Sequence, residues 1–461
     1  MKRFALDSLV EWQRRPDRKP LVIRGARQVG KTELVRIFAR QAFDSLVEIN
    51  FDEDPDKASL FDEPDVRTIV RFIEIEANVK IVPGRTLLFL DEIQAAPSVL
   101  AKLRYFHEKM PELHVVAAGS LLDFSLGAPE HSVPVGRIEF MYLGPMSFGE
   151  FLLARGEEQL WGFLGTYMIS MRLPEALHAK ARTLLKEYFL VGGLPGVVKT
   201  YIESNLDPKA AARAQNSLLQ AYYADFSKYK RKVDVPLLQA VFKGIPASIG
   251  KTAKYSSLNP LARSLQVRES LELLEKARLV FRVFHSDGNG LPLGAEIRPS
   301  SFKLLFLDIG LLASFLGLQA AEFLRDADLT LINFGAMAEQ FIGQHLLYNE
   351  EPYREPSLFY WNRQSKGSTA EVDYLIQAGS RIVPVEVKAG KTGRLRSLQV
   401  FIHEKHAPLG LRFNDDLPSL LDARTSIAGK DAVPFKLLSL PLYLVEQASR
   451  LAQQAGSAPK S

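Results

Sequence analysis

Four groups of residues in this chain have the types and the spacing to do chemistry. The first is Gly25-Ala26-Arg27-Gln28-Val29-Gly30-Lys31-Thr32. Its glycines let a backbone curl until successive N–H groups point inward, as a phosphate requires. Lys31 is long enough to reach terminal phosphates, and the Thr32 hydroxyl is a ligand for Mg²⁺. The second group is Asp91-Glu92, in which Asp91 is placed to hold Mg²⁺ through water and Glu92 to polarise an attacking water as general base. The third pairs Ser120, a candidate sensor of the γ-phosphate, with Arg137, a candidate arginine finger toward a nucleotide on a neighbouring subunit. The fourth is Glu339, Asp373, Glu386 and Lys388, carboxylates and an amine suited to Mg²⁺ and water activation.

The elements that must position these groups are legible in the apolar pattern. Leu21-Val22-Ile23 precedes the glycine loop and an amphipathic stretch, Glu33 to Arg40, follows it, so the loop joins a strand to a helix N-terminus. Residues 45–51 alternate as a second strand, and Val66 to Val79 has helical spacing. Thr86-Leu87-Leu88-Phe89-Leu90 reads as a buried parallel strand that leaves Asp91 at its C-terminal edge, where open α/β sheets bind ligands. Val115 to Gly119 is another such strand; Ser120 at its end suits either a sensor or an N-cap for Leu121 to Leu126, and both roles are compatible. Arg137 heads a strand over Ile138 to Leu143, as a finger or as an exposed structural residue. Strand, loop, helix and a second acidic strand end predict binding of a nucleoside triphosphate, ATP with Mg²⁺.

Composition narrows the class. The chain has 461 residues, which exceeds one core and predicts several domains. Apolar content of 47% and charged content of 24% are those of an ordinary folded protein. A net charge of +5 is compatible with nucleic-acid binding without requiring it. The absence of cysteine excludes disulfides, thiolate metal sites and cysteine nucleophiles. Met1 to Arg15 is charged and amphipathic, unlike a signal peptide, and no apolar run reaches the ~18 residues of a membrane span. A cytoplasmic protein without a membrane partner is expected.

The four pieces Arg24 to Thr32, Phe89-Leu90-Asp91-Glu92-Ile93-Gln94, Ala118-Gly119-Ser120 and Pro145-Met146-Ser147-Phe148-Gly149-Glu150-Phe151 occur in that order. Together they resemble the prokaryotic AAA-type (AAA+) ATPases that carry a C-terminal domain of unknown function, and the resemblance covers nearly the whole chain. It implies ATP hydrolysis and a homo-oligomer, a hexamer included. Where the family often has a second small polar residue after the sensor, this chain has Leu121, which leaves Ser120 as the sensor candidate.

The expected fold class is α/β: a P-loop AAA+ ATPase core over residues 1–150, a helical lid over 151–235, a winged helix over 236–300, a restriction-endonuclease-like domain over 301–452 and a disordered tail over 453–461. The lid rests on continuous helical spacing and on Gly192-Gly193-Leu194-Pro195, which is similar to the same family. Three short helices and the hairpin signal Asp287-Gly288-Asn289-Gly290 give the winged helix, with Gln266, Arg268 and Arg278 facing outward toward DNA or toward a protein. Lys228-Tyr229-Lys230-Arg231-Lys232 and Lys391 to Arg396 are further basic clusters. A helix with Glu339, a strand with Asp373 and a strand with Glu386 and Lys388 is the order of the endonuclease-like fold, and i, i+2 spacing puts Glu386 and Lys388 on one face. Such a domain either cuts or binds DNA. The functions expected are therefore an ATPase acting on DNA, a nucleotide-dependent protein switch, or an ATP-gated nuclease.

Overall fold

A computed structural model describes residues 1–120, 136–229, 233–318, 334–349, 351–365, 368–388, 390 and 395–457. The expected cap at Leu121 to Leu126, residues 230–232 of the basic knot, and 391–394 of the second basic cluster lie outside the described residues. Two compact units divide the chain. Residues 1–145, 273–279 and 350–356 form one, and residues 146–272, 280–349 and 357–461 form the other.

The first unit is built on a five-stranded parallel sheet in the order β2-β3-β4-β1-β5. Its strands are β1 (Leu21–Arg24), β2 (Ser45–Asn50), β3 (Thr86–Asp91), β4 (His114–Gly119) and β5 (Glu139–Tyr142). Every residue of β1, β3 and β4 is buried, as strands with both faces covered require. Helices α1 (Ala5–Arg14), α2 (Lys31–Ala42), α3 (Val66–Ala77) and α4 (Pro97–Lys109) belong to the same unit. Asp65 caps α3 by accepting from the Thr68 N–H, and Asn78 ends it in a left-handed turn. Ile69, Ile73, Val99, Leu103 and Phe106 pack with Leu88, Leu90, Val115 and Ala117 into one core. Because β4 runs between β3 and β1, Ser120 follows the strand that separates the two chemical motifs.

The second unit carries an eight-stranded mixed sheet in the order β12-β13-β11-β10-β9-β8-β6-β7. Its strands are β6 (Val280–Ser286), β7 (Ile297–Phe306), β8 (Phe359–Ser365), β9 (Ser368–Ala378), β10 (Arg381–Val387), β11 (Leu409–Asn414), β12 (Ser419–Arg424) and β13 (Pro434–Pro441). This topology departs from the sequence expectation at the hairpin. Of the three helices expected before it, the first and third are present, at Val235–Gly244 and Ser264–Lys276, while the short one expected near Leu258 to Leu265 lies earlier, at Tyr255–Leu258. The hairpin β6-β7 is nevertheless no free wing: β6 pairs in parallel with β8, so the hairpin edges the large sheet. A boundary at residue 300 falls inside β7. Apolar strands such as Leu304-Leu305-Phe306 are buried better within a wide sheet than in a two-stranded ribbon.

The segment expected as a lid is helical, from Phe148–Ala154 through Pro208–Asp225, and it packs within this second unit. Phe148 and Tyr188 stack edge to face with Phe341 of the helix Phe334–Tyr348. The Glu446 carboxylate accepts from the Gly149 N–H at 2.6 Å and from the Ser147 hydroxyl at 2.8 Å. His345 Nε2 accepts from the Phe148 N–H at 2.9 Å. The Pro-x-Ser-Phe-x-Glu-Phe piece is thus a capped helix start tied to the C-terminal part of the chain. The expected disordered tail also starts too early, since the helix Ala448–Ser457 buries Leu451, Ala452 and Ala455.

Candidate functional site

The glycine loop has the backbone its chemistry needs. Gln28 and Gly30 take positive φ, 68° and 90°, which turns the chain into α2. A side chain at Gly25 would sit 2.3 Å from the Leu143 carbonyl oxygen, so only glycine fits there. Ala26 and Val29 are buried, and Arg27 lies 3.7 Å from Asp52. Arg3, which the sequence reading did not single out, clamps the loop from behind. Its guanidinium donates to the Val29 carbonyl at 2.7 Å and the Gly144 carbonyl at 2.8 Å. No side chain caps the N-terminus of α2, so its N–H groups are open to an anion.

Lys31 is buried and donates to the carbonyls of Gly25 at 3.0 Å and Ala26 at 2.9 Å. Burial brings its ammonium pKa down to about 8, against the pull of Glu92 and Asp91. The Thr32 hydroxyl donates to Asp91 Oδ2 at 2.7 Å, which joins the two motifs across the sheet edge. Burial pushes the Asp91 pKa up, and the Thr32 hydrogen bond opposes it. Glu92 sits in the left-handed region at φ 49°, and the Gln94 amide donates to its carboxylate. Ser120 is buried, and its hydroxyl has no hydrogen-bond partner among the described residues. Arg137 is exposed and pairs with Glu108 at 2.9 Å.

The donor set for Mg²⁺ is a hydroxyl and a carboxylate, both hard oxygens, in direct contact. It fits the ion. Among the described residues no group of three or more His, Cys, Asp or Glu side chains is arranged to hold a metal.

In the second unit, Glu339, Asp373, Glu386 and Lys388 come together, but around a residue that the sequence reading missed. Lys303 of β7 lies 2.6 Å from Glu339, 2.9 Å from Glu371 and 3.4 Å from Asp373, and it is only 2% exposed. Lys388 pairs instead with Glu386 at 2.6 Å. Asp373 Oδ2 accepts from the Val387 N–H at 2.8 Å. Burial works against the Lys303 charge, but Glu339, Asp373 and Glu371 hold its pKa well above the ordinary value. Burial raises the pKa of Glu339 and of Glu386. Glu371 was findable, being two residues before Asp373 on one strand and so on the same face. Lys303 carried a weaker signal: a lone lysine between Phe302 and Leu304 is buried, and a buried lysine needs carboxylates.

The residues expected to meet DNA differ in exposure. Gln266 is exposed, and Arg268 is exposed and pairs with Glu272 at 2.8 Å. Arg278 belongs to the first unit, where it is buried, bonded to Glu355 at 2.6 Å and set over the Tyr142 ring.

Comparison with known proteins agrees with the first site. Residues 17–152 match the family described as AAA domain. Residues 182–322 and 334–421 match two domains of unknown function, DUF8612 and DUF4143. No curated protein matches the chain. Among solved structures, the chain is similar to the Walker-type ATPase PABY2304 of Pyrococcus abyssi. The identity is 15% and the TM-score 0.44, covering 68% of this chain and 95% of that one. The ORC2 protein of Aeropyrum pernix, in ADPNP and ADP complexes, follows at 14% identity and TM-score 0.24, covering 68% and 92%. The RuvB Holliday junction branch migration motor of Thermotoga maritima matches at 12% identity and TM-score 0.25, covering 60% and 86%. The segment that matches the AAA domain, residues 17–152, is the one that carries the glycine loop and the Asp91-Glu92 strand end. No helix among the described residues is long and apolar enough to cross a membrane.

Proposed function

We propose that the chain binds ATP with Mg²⁺ and hydrolyses it. The observation that carries this reading is the 2.7 Å contact of Thr32 with Asp91, made beside the buried Lys31 at the open N-terminus of α2. The N–H groups of Gly25 to Lys31 cradle the phosphates, and Lys31 exchanges the carbonyls of Gly25 and Ala26 for phosphate oxygens. Thr32, and Asp91 through water, would hold Mg²⁺, which would neutralise charge on the phosphates. Glu92 takes a proton from the attacking water once Gln94 releases its carboxylate. Ser120, at the strand end between the two motifs, orients the γ-phosphate or the water. Arg137 leaves Glu108 to reach the nucleotide of a neighbouring copy, so the active form is an oligomer.

A cytoplasmic ATPase that acts on DNA is the extension the sequence favours, with a protein switch as its rival. Turnover with and without linear, single-stranded and branched DNA, at stated salt, separates them. Stimulation by one of these DNA forms supports the first reading. An unchanged rate with all three supports the second. Loss of ATP turnover on Asp91→Asn tests the hydrolysis that both share, and full turnover in that variant would refute it.

A further inference from the structure

The carboxylates of the second unit have the order of a metal-dependent nuclease, and the side chain between them is a lysine. Lys303 Nζ makes three ionic contacts, to Glu339 Oε1, Glu371 Oε1 and Asp373 Oδ1. The remaining oxygens are taken up in part by other donors. Glu371 Oε2 accepts from the Thr252 hydroxyl at 2.8 Å, and Asp373 Oδ2 accepts from the Val387 N–H. Glu386 Oε1 takes the Lys388 ammonium, while its Oε2 is buried with no partner among the described residues.

We propose that the Lys303 ammonium is the resident cation of this cluster and stands where a divalent metal would bind, so that the endonuclease-like centre is metal-free and does not cut.

Three observations support this. A divalent ion needs carboxylate oxygens at roughly 2.0–2.6 Å, and it would have to share that space with Nζ, a like charge already in contact with the same oxygens. Lys303 also has nowhere else to go. Its position on β7 is fixed by pairing with Val283 of β6, and its neighbours Phe302, Leu304 and Leu305 are buried. An ammonium turned away from the acids would be left in that apolar setting, uncompensated. Finally, the amine that would activate water in a cutting enzyme, Lys388, is spent on Glu386. With no ion and no free amine, the cluster ties β7, β9, β10 and the helix Phe334–Tyr348 to one another, a role that needs charge balance and no turnover.

The test is Mn²⁺ binding by the nucleotide-free full chain carrying Asp91→Asn, which removes the acid of the phosphate-loop site. Bound ion is read by electron paramagnetic resonance, and melting is followed by calorimetry. The chain with Lys303 should bind no Mn²⁺, melt at the same temperature with Mn²⁺ or EDTA, and leave plasmid DNA intact. Lys303→Ala in the same background should bind about one Mn²⁺ and gain about 5 °C or more in melting temperature, because an ion that binds only the folded state stabilises it. If that variant folds only with Mn²⁺, its folded yield with and without the ion supplies the same answer. If it folds in neither condition, the Lys303 chain still decides. Mn²⁺ uptake by that chain, lost on Asp373→Asn, overturns the proposal. So does a Lys303→Ala chain that folds and melts like its parent without taking up metal.

Discussion

Lys31 makes nucleotide affinity depend on pH in a range where few other groups in the phosphate-loop site titrate. In the free protein its ammonium is buried and its pKa lies at about 8. A bound triphosphate surrounds the same group with negative charge and holds it protonated, so binding takes up a proton wherever the free amine has lost its own. Because the free-state value is the lowered one, affinity is full below about pH 8 and is lost as pH rises through it. One pKa unit corresponds to about 1.4 kcal/mol, so affinity should fall about tenfold between pH 7 and pH 9. The terminal phosphate, with a second pKa near ~6, is already ionised over that range and does not mask the effect. The assay is titration of a non-hydrolysable ATP analogue from pH 7 to 9.5 at constant ionic strength, which keeps screening fixed. Calorimetry in buffers of different ionisation enthalpy should show proton uptake rising toward one per nucleotide. The Lys31→Met variant should bind weakly at every pH with no slope. A flat affinity from pH 7 to 9 in the unaltered protein, or the same slope in Lys31→Met, would refute the reasoning.

Other outcomes follow from particular contacts. Burial pushes the Glu446 carboxyl up to about 7, so its contribution to stability is full below the unfolded value near ~4.3 and is lost as pH rises through 7. His345, held down to about 4 by burial, does the opposite, its contribution being full above the unfolded value near ~6.5 and lost as pH falls toward 4, so the two offset each other below about pH 6.5. From about pH 6.5 to about 7 the melting temperature should fall, and Glu446→Gln should flatten that fall. An equal slope in the variant would place the effect elsewhere. Gly193→Ala should destabilise by about 1–3 kcal/mol in denaturant melts, because its Cβ would lie 2.1 Å from the Met146 carbonyl oxygen, while Gly196→Ala, with open space around it, should not. Arg137→Ala should keep nucleotide affinity and lose about 10³-fold or more in turnover, and mixing it with Lys31→Ala should restore activity at mixed interfaces. A strictly monomeric active protein would exclude that finger.

The first unit was legible because its chemistry is local. A run such as Thr86 to Leu90 announces a buried strand, and whatever follows such a strand lies at its edge, so the sequence alone places Asp91 at the C-terminal end of β3. The glycine loop likewise contains its own geometry, in Gly25 and Gly30. The second unit resisted for the opposite reason. Whether β6 and β7 form a free wing or the edge of a sheet depends on β8, more than fifty residues later in the chain. Lys303 meets its acids through side chains drawn from β9 and a helix, and no local pattern encodes that meeting. Arg278 reads as a surface basic residue until Glu355 and Tyr142, both distant in sequence, are found around it. Ser147 and Gly149 form a recognisable motif, yet what they serve is the carboxylate of Glu446, nearly three hundred residues on.

Glu92 as the base beside a Mg²⁺-ATP site is the central claim, and phosphate release tests it most directly. Release is measured from Mg²⁺-ATP with the unaltered protein and with Glu92→Gln, alongside ATP affinity for both. Equal affinity is predicted, with release slowed about 10²-fold or more in the variant, the usual loss of a positioned general base. Equal rates of release in the two proteins would contradict it.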